Sequence, residues 1–529
     1  MKFENLSALI ECSANAVPKM ETLKKYADIF SALGYTELYL GLTNAYKIES
    51  EPYFCYKRAG YTVEQLREID SYCAEKGIEL RCAIQTLAHL YPLYRHYKYR
   101  EIMDTNSILL AGDDRVYELI DKMFDTISRG IRSRHIHIGF DEAFGLGTGK
   151  YFGKNGYVDR KRIMLDHLKR IKALAEKYGF ICDIWHDTLM DKDYSDVSAE
   201  DIKRELSQDT RIFYWNYREN DEGRLETLLN DVKRYSDNIG YCGSAFKICG
   251  VGPQNKYSIS RILPQMKVCE KMGVKQYIVS AYGDRGAWSS YYSVLPAFYV
   301  AAEYAHGRCT GLCDVDKEKF FRLFGVKFDD MISLDYLNNP AKKDVLAIGN
   351  RSAWIFMSDC LTTSYDMFTT EGTGACYEAL AEEYSKTDGG DFAHLFTMSS
   401  AAARVLALKS NFATRLRDAY EKGDKSQLLL LAEESNILEQ RLKEFNKEFT
   451  KYWKMDYYSL GVEVDHLYIG YQITRIQYIR DVIIDFVEND TPIDELSEPA
   501  LLPSVDPAFD EDSLFVYEFD FMLTHGLLE

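Results

Sequence analysis

Two carboxylates stand side by side at Asp141-Glu142, after a run that reads as a β-strand opening into a turn: His135-Ile136-His137-Ile138-Gly139-Phe140-Asp141-Glu142-Ala143-Phe144-Gly145. Alternation along such a strand sets Ile136, Ile138 and Phe140 on one side and His135, His137, Gly139 and Asp141 on the other. Asp141 then points along the inner face. Glu142 joins it only where the chain has begun to turn, which Gly145, Gly147 and Gly149 permit. Neighbouring carboxyls in a confined space raise one another's proton affinity, so one is held as an acid and the other as an anion. That is the equipment of general acid–base catalysis. A solvated acidic loop is the plainer reading, and the position directly after a strand weighs against it.

Other chemically capable residues collect at the ends of further strand-like runs. These are Gln85-Thr86-Leu87-Ala88-His89, Trp185-His186-Asp187, Tyr214-Trp215-Asn216-Tyr217 and Tyr282-Gly283-Asp284. Trp185, Trp215 and Trp288 are three of the five tryptophans, and all fall on or just after strand ends, where indole faces suit sugar rings. A lid over the core is the alternative use of each. No acid–histidine cluster has coordinating spacing, and Cys309 and Cys313 lack a second pair to complete a zinc site. Neither metal nor cofactor is expected.

The elements that would position these groups follow a simple alternation. Strand-like runs at Ser7–Cys12, Thr36–Leu40, Glu79–Ile84, His135–Phe140, Phe180–Trp185, Arg211–Tyr217, Asn238–Ser244 and Gln276–Tyr282 are separated by amphipathic stretches. Met20–Leu33, Val63–Lys76, Arg115–Arg129, Lys161–Tyr178 and Ile259–Met272 are the clearest, several ending in glycine (Gly34, Gly77, Gly179, Gly273). Eight such units over about 300 residues predict an α/β fold, a (β/α)₈ TIM barrel. A doubly wound sheet is the runner-up, but no glycine-rich phosphate loop follows the first strand. Beyond residue 305 the pattern turns helical: Asp314–Phe324, Asn350–Phe368, Phe392–Lys422, Ser426–Trp453 and Ile469–Val487, with a less regular tail from about Pro492. The expected division is a barrel over 1–309 and an α-helical C-terminal domain over 310–529.

Composition narrows the partners. A net charge of -18 argues against nucleic acid or an anionic membrane surface, since both would be repelled. The 40 Tyr and 27 Phe fit a carbohydrate-facing surface as well as a large core. No run reaches the ~18 apolar residues of a membrane span. The first residues lack the pattern of a secretory signal, and the twelve cysteines sit in core-like surroundings that read as reduced thiols. A cytoplasmic location is expected, and apolar helical surface in the C-terminal half is compatible with a homodimer.

The stretch His137-Ile138-Gly139-Phe140-Asp141-Glu142 resembles the His-x-Gly-x-Asp-Glu signature of family 20 glycoside hydrolases, the β-N-acetylhexosaminidases. Gln85-Thr86-Leu87-Ala88-His89, Ile184-Trp185-x-Asp187 and Tyr282-Gly283-Asp284-x-Gly286 resemble other motifs of that family in the same order, and the likeness is greatest to its intracellular bacterial branch. The resemblance implies substrate-assisted retaining catalysis, in which the sugar's 2-acetamido oxygen is the nucleophile. It implies that Glu142 is general acid and then base, and that Asp141 steadies the acetamido nitrogen. By the same resemblance Trp185 and Trp215 wall the acetamido pocket, Tyr214 or Tyr217 reaches its oxygen, Asp284 contacts sugar hydroxyls, and His89 and His137 orient neighbours. Tyr282 and Trp288 stand in the strand-eight motif.

Departures from the family are concentrated where sugar is gripped. The usual strand-one arginine is Leu6, the Ser-Arg-Asn pattern is Ser13-Ala14-Asn15, and an acidic pair after strand two is Thr43-Asn44. The strand-eight pattern has lost a Trp and a Glu in Tyr282-Gly283-Asp284-Arg285-Gly286-Ala287-Trp288. Loss of a bidentate arginine removes a strong contact to a diol. A shifted sugar specificity is expected, with Arg285 and Lys247 available to an anionic substituent. Two other readings stand beside an exo-β-N-acetylhexosaminidase acting on an oligosaccharide or glycoside. One is a barrel glycosidase with two separated carboxylates, pairing Glu142 with Asp187 or Asp284. The other is a catalytically weak sugar-binding relative.

Overall fold

The computed structural model describes residues 1–190, 195, 197–206, 209–248, 250–284, 287–341, 350–362 and 369–499. Eight strands run in chain order: β1 (Asn5–Glu11), β2 (Glu37–Thr43), β3 (Glu79–Ile84), β4 (His135–His137), β5 (Ile181–Trp185), β6 (Arg211–Trp215), β7 (Ile239–Ser244) and β8 (Gln276–Ala281). Each is parallel to the next, and β8 pairs with β1 from Asn5↔Gln276 to Ile10↔Ala281, so the sheet closes. This is the (β/α)₈ barrel expected from the alternation. Its strands are buried on both faces, as in other parallel sheets. Local signals set the helices between them. Thr62 and Gln65 form a capping box at the start of Val63–Glu75, and Gly34, at φ 88°, ends Met20–Leu33.

β4 stops at His137, short of the expected Phe140. Gly139, Phe140 and Glu142 have φ of 80°, 77° and 50°, which a strand cannot hold, so simple alternation fails after His137. Helices at Glu222–Lys233, Leu295–Ala305 and Thr373–Lys386 were not anticipated. Leu295–Ala305 is buried on every side and carries no amphipathic period; Glu222–Lys233 and Thr373–Lys386 each begin with a glycine in the first turn. The helix expected over Asn350–Phe368 ends at Met357, and residues 363–368 and 500–529, including most of the expected tail, lie outside the described residues.

Inward-facing side chains fill the barrel in layers. The floor is polar. Arg81 Nη2 meets Glu37 Oε1 at 2.6 Å and Arg81 Nη1 reaches Tyr39 Oη at 3.0 Å, while Gln276 bridges Glu37 and Arg211. Asp183 completes it, its carboxyl pushed up to about 7 by burial against the pull of Arg211 and Arg81. Above lies an apolar layer of Leu9, Tyr39, Trp185, Phe213, Cys242 and Ile278. The barrel is therefore a filled well whose open end is the C-terminal rim of the strands.

The long helices Ala393–Glu421, Lys425–Asp456 and Val462–Asn489 pack on one another in sequence, with Thr373–Lys386 against the first. They dock on the rim near β1 and β8. Asn15 Nδ2 donates to Asp465 Oδ2 at 2.8 Å and to Gly461 O at 3.1 Å, and Tyr452 Oη donates to Ala287 O at 3.2 Å. Trp288 is 1% exposed and packs on Phe356, Phe449 and Tyr468.

Candidate active site

The turn after β4 gathers the acidic groups. At Gly139 an added Cβ would run into the Gln85 amide oxygen, and the φ of 80° there is left-handed backbone that favours glycine. Gln85 Nε2 donates to Asp141 Oδ1 at 3.0 Å. His89, itself in the left-handed region at φ 56°, places Nε2 3.1 Å from Asp141 Oδ2 and 3.6 Å from Glu142 Oε2. From β5, Asp187 Oδ2 accepts the Glu142 backbone N–H at 2.7 Å, and its Oδ1 accepts the Trp215 indole N–H at 2.9 Å. The left-handed Phe140 and Glu142 are costly for residues with a Cβ, and these bonds from β3, β5 and β6 hold them there. The side chains of Asp141 and Glu142 are 19% and 44% exposed, so the pair lines the mouth and Glu142 is the more accessible.

The two neighbours are electrostatically unlike. Burial pushes the Asp141 carboxyl up, but the His89 hydrogen bond and charge and the Gln85 donor outweigh it, and the group lies below its ordinary value. Burial raises Glu142, Asp141 raises it further, and His89 opposes without reversing the direction. Burial lowers His89, yet the bond to Asp141 and the charges of Asp141, Glu142 and Asp284 bring it up to about 9. The resting site is thus an anionic Asp141, a cationic His89 and a Glu142 that keeps its proton to higher pH than a free carboxyl. Asp187 is pushed up to about 6 by burial and by Asp141. Asp284 is raised by burial and by Glu11, against Lys247.

Of the residues singled out in the sequence, Asp141, Glu142, His89, Trp215, Tyr217, Tyr282 and Asp284 gather at the rim. Trp215 stacks on Tyr217 at 5.3 Å, and Tyr217 meets Tyr282 at 6.0 Å. Trp185 is 5% exposed and forms the base of the site, its ring 4.1 Å from that of His137. His137 accepts the Gly139 N–H on Nδ1 at 3.1 Å and is kept neutral by burial, which lowers it to about 3. Two expectations are corrected. Trp288 is enclosed by the C-terminal helices and has no face for a ligand. Tyr214 points out of the barrel: it alternates with the inward Phe213 and Trp215, its ring lies 4.3 Å from His186, and Asn216 Nδ2 donates to its hydroxyl at 3.2 Å. Arg285 and Gly286 lie outside the described residues.

Gln85 stands in a motif quoted from the sequence but has no role assigned to it there, and Glu11 is not singled out. Glu11 Oε2 accepts the Gly283 N–H at 2.6 Å and Oε1 accepts the Ser13 hydroxyl at 2.8 Å. The signal for Gln85 was present, since two residues beyond the inward Ala83 and level with the β4 turn it must face the mouth. Among the described residues no group of acids, histidines and cysteines could hold a metal ion, and no helix is long and apolar enough to cross a membrane. The eleven described cysteines are free.

Residues 329–515 match the family model described as the Glycoside Hydrolase 20C C-terminal domain. That match covers the C-terminal part of the chain, beyond the barrel. No curated protein matches this chain. Among solved structures it is similar to an exo-β-N-acetylglucosaminidase of Vibrio harveyi (14% identity, TM-score 0.46, covering 63% of this chain and 58% of that one). It is also similar to β-N-acetylhexosaminidases of Bacteroides fragilis (18%, TM-score 0.45, 57% and 66%) and Streptomyces coelicolor (14%, TM-score 0.44, 62% and 69%). The chain thus spans less than two thirds of the length of the Vibrio protein.

The chain places an arginine near the end of β1 by another route. Leu6 is buried at the start of β1, on the face turned to the helices. Arg58, from the segment after β2, reaches the end of β1, donating to Ala14 O at 2.6 Å, to Ser13 O, and to Asn44 Oδ1 at 2.7 Å.

Proposed function

We propose that the protein is an exo-acting glycoside hydrolase of the β-N-acetylhexosaminidase type, working by acetamide assistance on an altered sugar. The single observation carrying this reading is a pair of carboxyls on consecutive residues at the barrel mouth, Asp141 fixed by Gln85 and His89 and Glu142 the more exposed, with proton affinities displaced in opposite directions. A pair on consecutive residues is ill suited to straddling a glycosidic bond, which needs carboxyls about 5 Å apart or more on opposite sides of the sugar. It is well suited to serving a substrate that brings its own nucleophile. Glu142 gives its proton to the departing oxygen and then, as carboxylate, takes one from water. Asp141, fixed by Gln85 and His89, steadies the acetamido N–H as positive charge grows on that group. Trp215, Tyr217 and Tyr282 supply flat faces, Trp185 the base, and Asp284 a partner for hydroxyls. Asp187 holds the acid in place through the Glu142 N–H.

Altered specificity is supported by the rewritten β1 and β2 ends, where Arg58 is tied to backbone carbonyls instead of facing a diol. The eleven free described cysteines support a reducing, cytoplasmic setting. We take the barrel as 1–309 and the helical domain as 310–529.

The test is a panel of aryl β-glycosides of N-acetylglucosamine and N-acetylgalactosamine, beside glucosides and galactosides lacking the acetamide. Only the acetamido sugars turn over, an oxazolinium-like inhibitor blocks them, and Glu142→Gln lowers kcat by about 10² to 10⁴-fold. Comparable cleavage of the plain glycosides would refute acetamide assistance and favour Glu142 paired with Asp284. No turnover at all would leave a sugar-binding protein.

A further inference from the structure

A second cleft opens on the same rim, between the segments that follow β1, β2 and β3 and the start of helix Val462–Asn489. It encloses about 170 Å³, and neither Asp141, Glu142, Asp187 nor Trp215 lines it. Its walls are aromatic. Tyr53, Tyr56 and Tyr91 are 48%, 46% and 59% exposed, and the rings of Tyr53, Tyr56 and His96 form a cluster with centroids 5.3 to 5.7 Å apart. Exposed flat rings grouped around a depression are what the apolar face of a sugar packs on.

Its charge is the reverse of the molecule's. Lys57, Arg58 and Arg95 line it against the single carboxylate of Glu463, in a chain of net charge -18. Glu463 is already engaged with the Gly461 N–H at 2.7 Å, and Arg58 with Asn44 and two carbonyls. The Arg95 guanidinium has no hydrogen bond or ion pair to any described residue, and its charge helps burial to depress His96. Three cations set against one carboxylate repel one another, and a bound anion relieves that repulsion.

The cleft adjoins the acid site on two sides. Tyr91 follows two residues after His89, and Ser13, whose hydroxyl bonds Glu11, directly precedes the lining Ala14. The segment after β3 therefore contributes both to the cleft and to the acid site. We infer that this cleft is a second sugar subsite that takes an anionic residue, bearing a carboxylate or a sulfate, next to the acetamido sugar being released. Tyr53 and Tyr56 hold the ring and Arg95 the anion. The inference rests on the proposed function for the bond that is cut, and it names the substrate class.

Two disaccharides test it: N-acetylglucosamine β-linked to glucuronic acid and the same sugar β-linked to glucose. The full chain cleaves the uronate with kcat/KM about tenfold higher or more, the worth of one charge-assisted hydrogen bond. Added salt shrinks that preference. Arg95→Ala abolishes it and leaves the glucose disaccharide and the neutral aryl glycoside unchanged, while Arg95→Lys keeps part of it. Equal rates for the two disaccharides in the unaltered protein, or an equal fall for both in R95A, overturns the subsite. Calorimetric binding of the same disaccharides separates this from the parent reading. If the aryl glycoside is not cleaved, the proposed function fails, while uronate binding lost in R95A still supports the cleft and binding indifferent to charge refutes it.

Discussion

At the scale of single residues the decisive arrangement is one imidazole between two carboxyls. His89 lies 3.1 Å from Asp141 and 3.6 Å from Glu142, and its charge lowers the proton affinity of both. The proposed function needs Asp141 without its proton and Glu142 with one. Activity therefore rises with pH as Asp141 ionises, at a value below the ordinary carboxylate, and falls as Glu142 ionises, at a value above it. Replacing His89 by Gln removes the cation that favours both anions, so both proton affinities rise and both limbs of the kcat/KM profile move to higher pH. A profile that keeps its position in H89Q contradicts the assigned protonation states. The acidic pair itself was readable from the sequence, because a strand-like run leads straight into it. Tyr214 was misread although the correcting signal was available: with Trp215 inward, period-two alternation turns its neighbour outward.

At the scale of elements, the strand that carries the pair is also the one the sequence described least well. Counting alternation to Phe140 assumed an extended chain, whereas three left-handed residues end β4 at His137 and swing Glu142 back over the mouth. Periodicity cannot foresee such a turn, since Phe140 and Glu142 adopt it only because hydrogen bonds from neighbouring strands compensate. Gly139 is the one residue in the turn that the geometry demands. Gly139→Ala should cost about 1–2 kcal/mol for its left-handed backbone, read as a lower melting temperature. It also drives the Gln85 amide off Asp141, raising the proton affinity of Asp141 alone. Only the acidic limb then moves up, which sets this variant apart from H89Q. A profile with both limbs moved, or neither, would sever the link between Gln85 and Asp141.

At the scale of the whole molecule, the barrel and the C-terminal helices share one apolar seam. Eight strand-like runs were enough to find the barrel, because each strand needs its own buried sequence. What the helices would cover was illegible: Trp288 follows a strand end like Trp185 and Trp215, and only the packing of Phe356, Phe449 and Tyr468 reveals that it faces a neighbour instead of a ligand. Trp288→Ala should lower stability by about 3–5 kcal/mol, seen in denaturant unfolding. KM for an aryl glycoside should hold steady in the folded fraction. A large rise in KM with little loss of stability would return Trp288 to the site.

The floor of the barrel carries one more consequence. Arg81, Glu37, Gln276, Arg211 and Asp183 stopper the far end, and the tier of Trp185 and Phe213 above them leaves no channel through. Traffic is one-way-in and same-way-out. A polymer cannot thread such a vessel as it would a tunnel, so each released unit must back out past the very rings that admitted it before another end can be seated. On the proposed function, product and fresh substrate compete for a single doorway, and the aromatic grip that hastens entry is the same grip that delays departure.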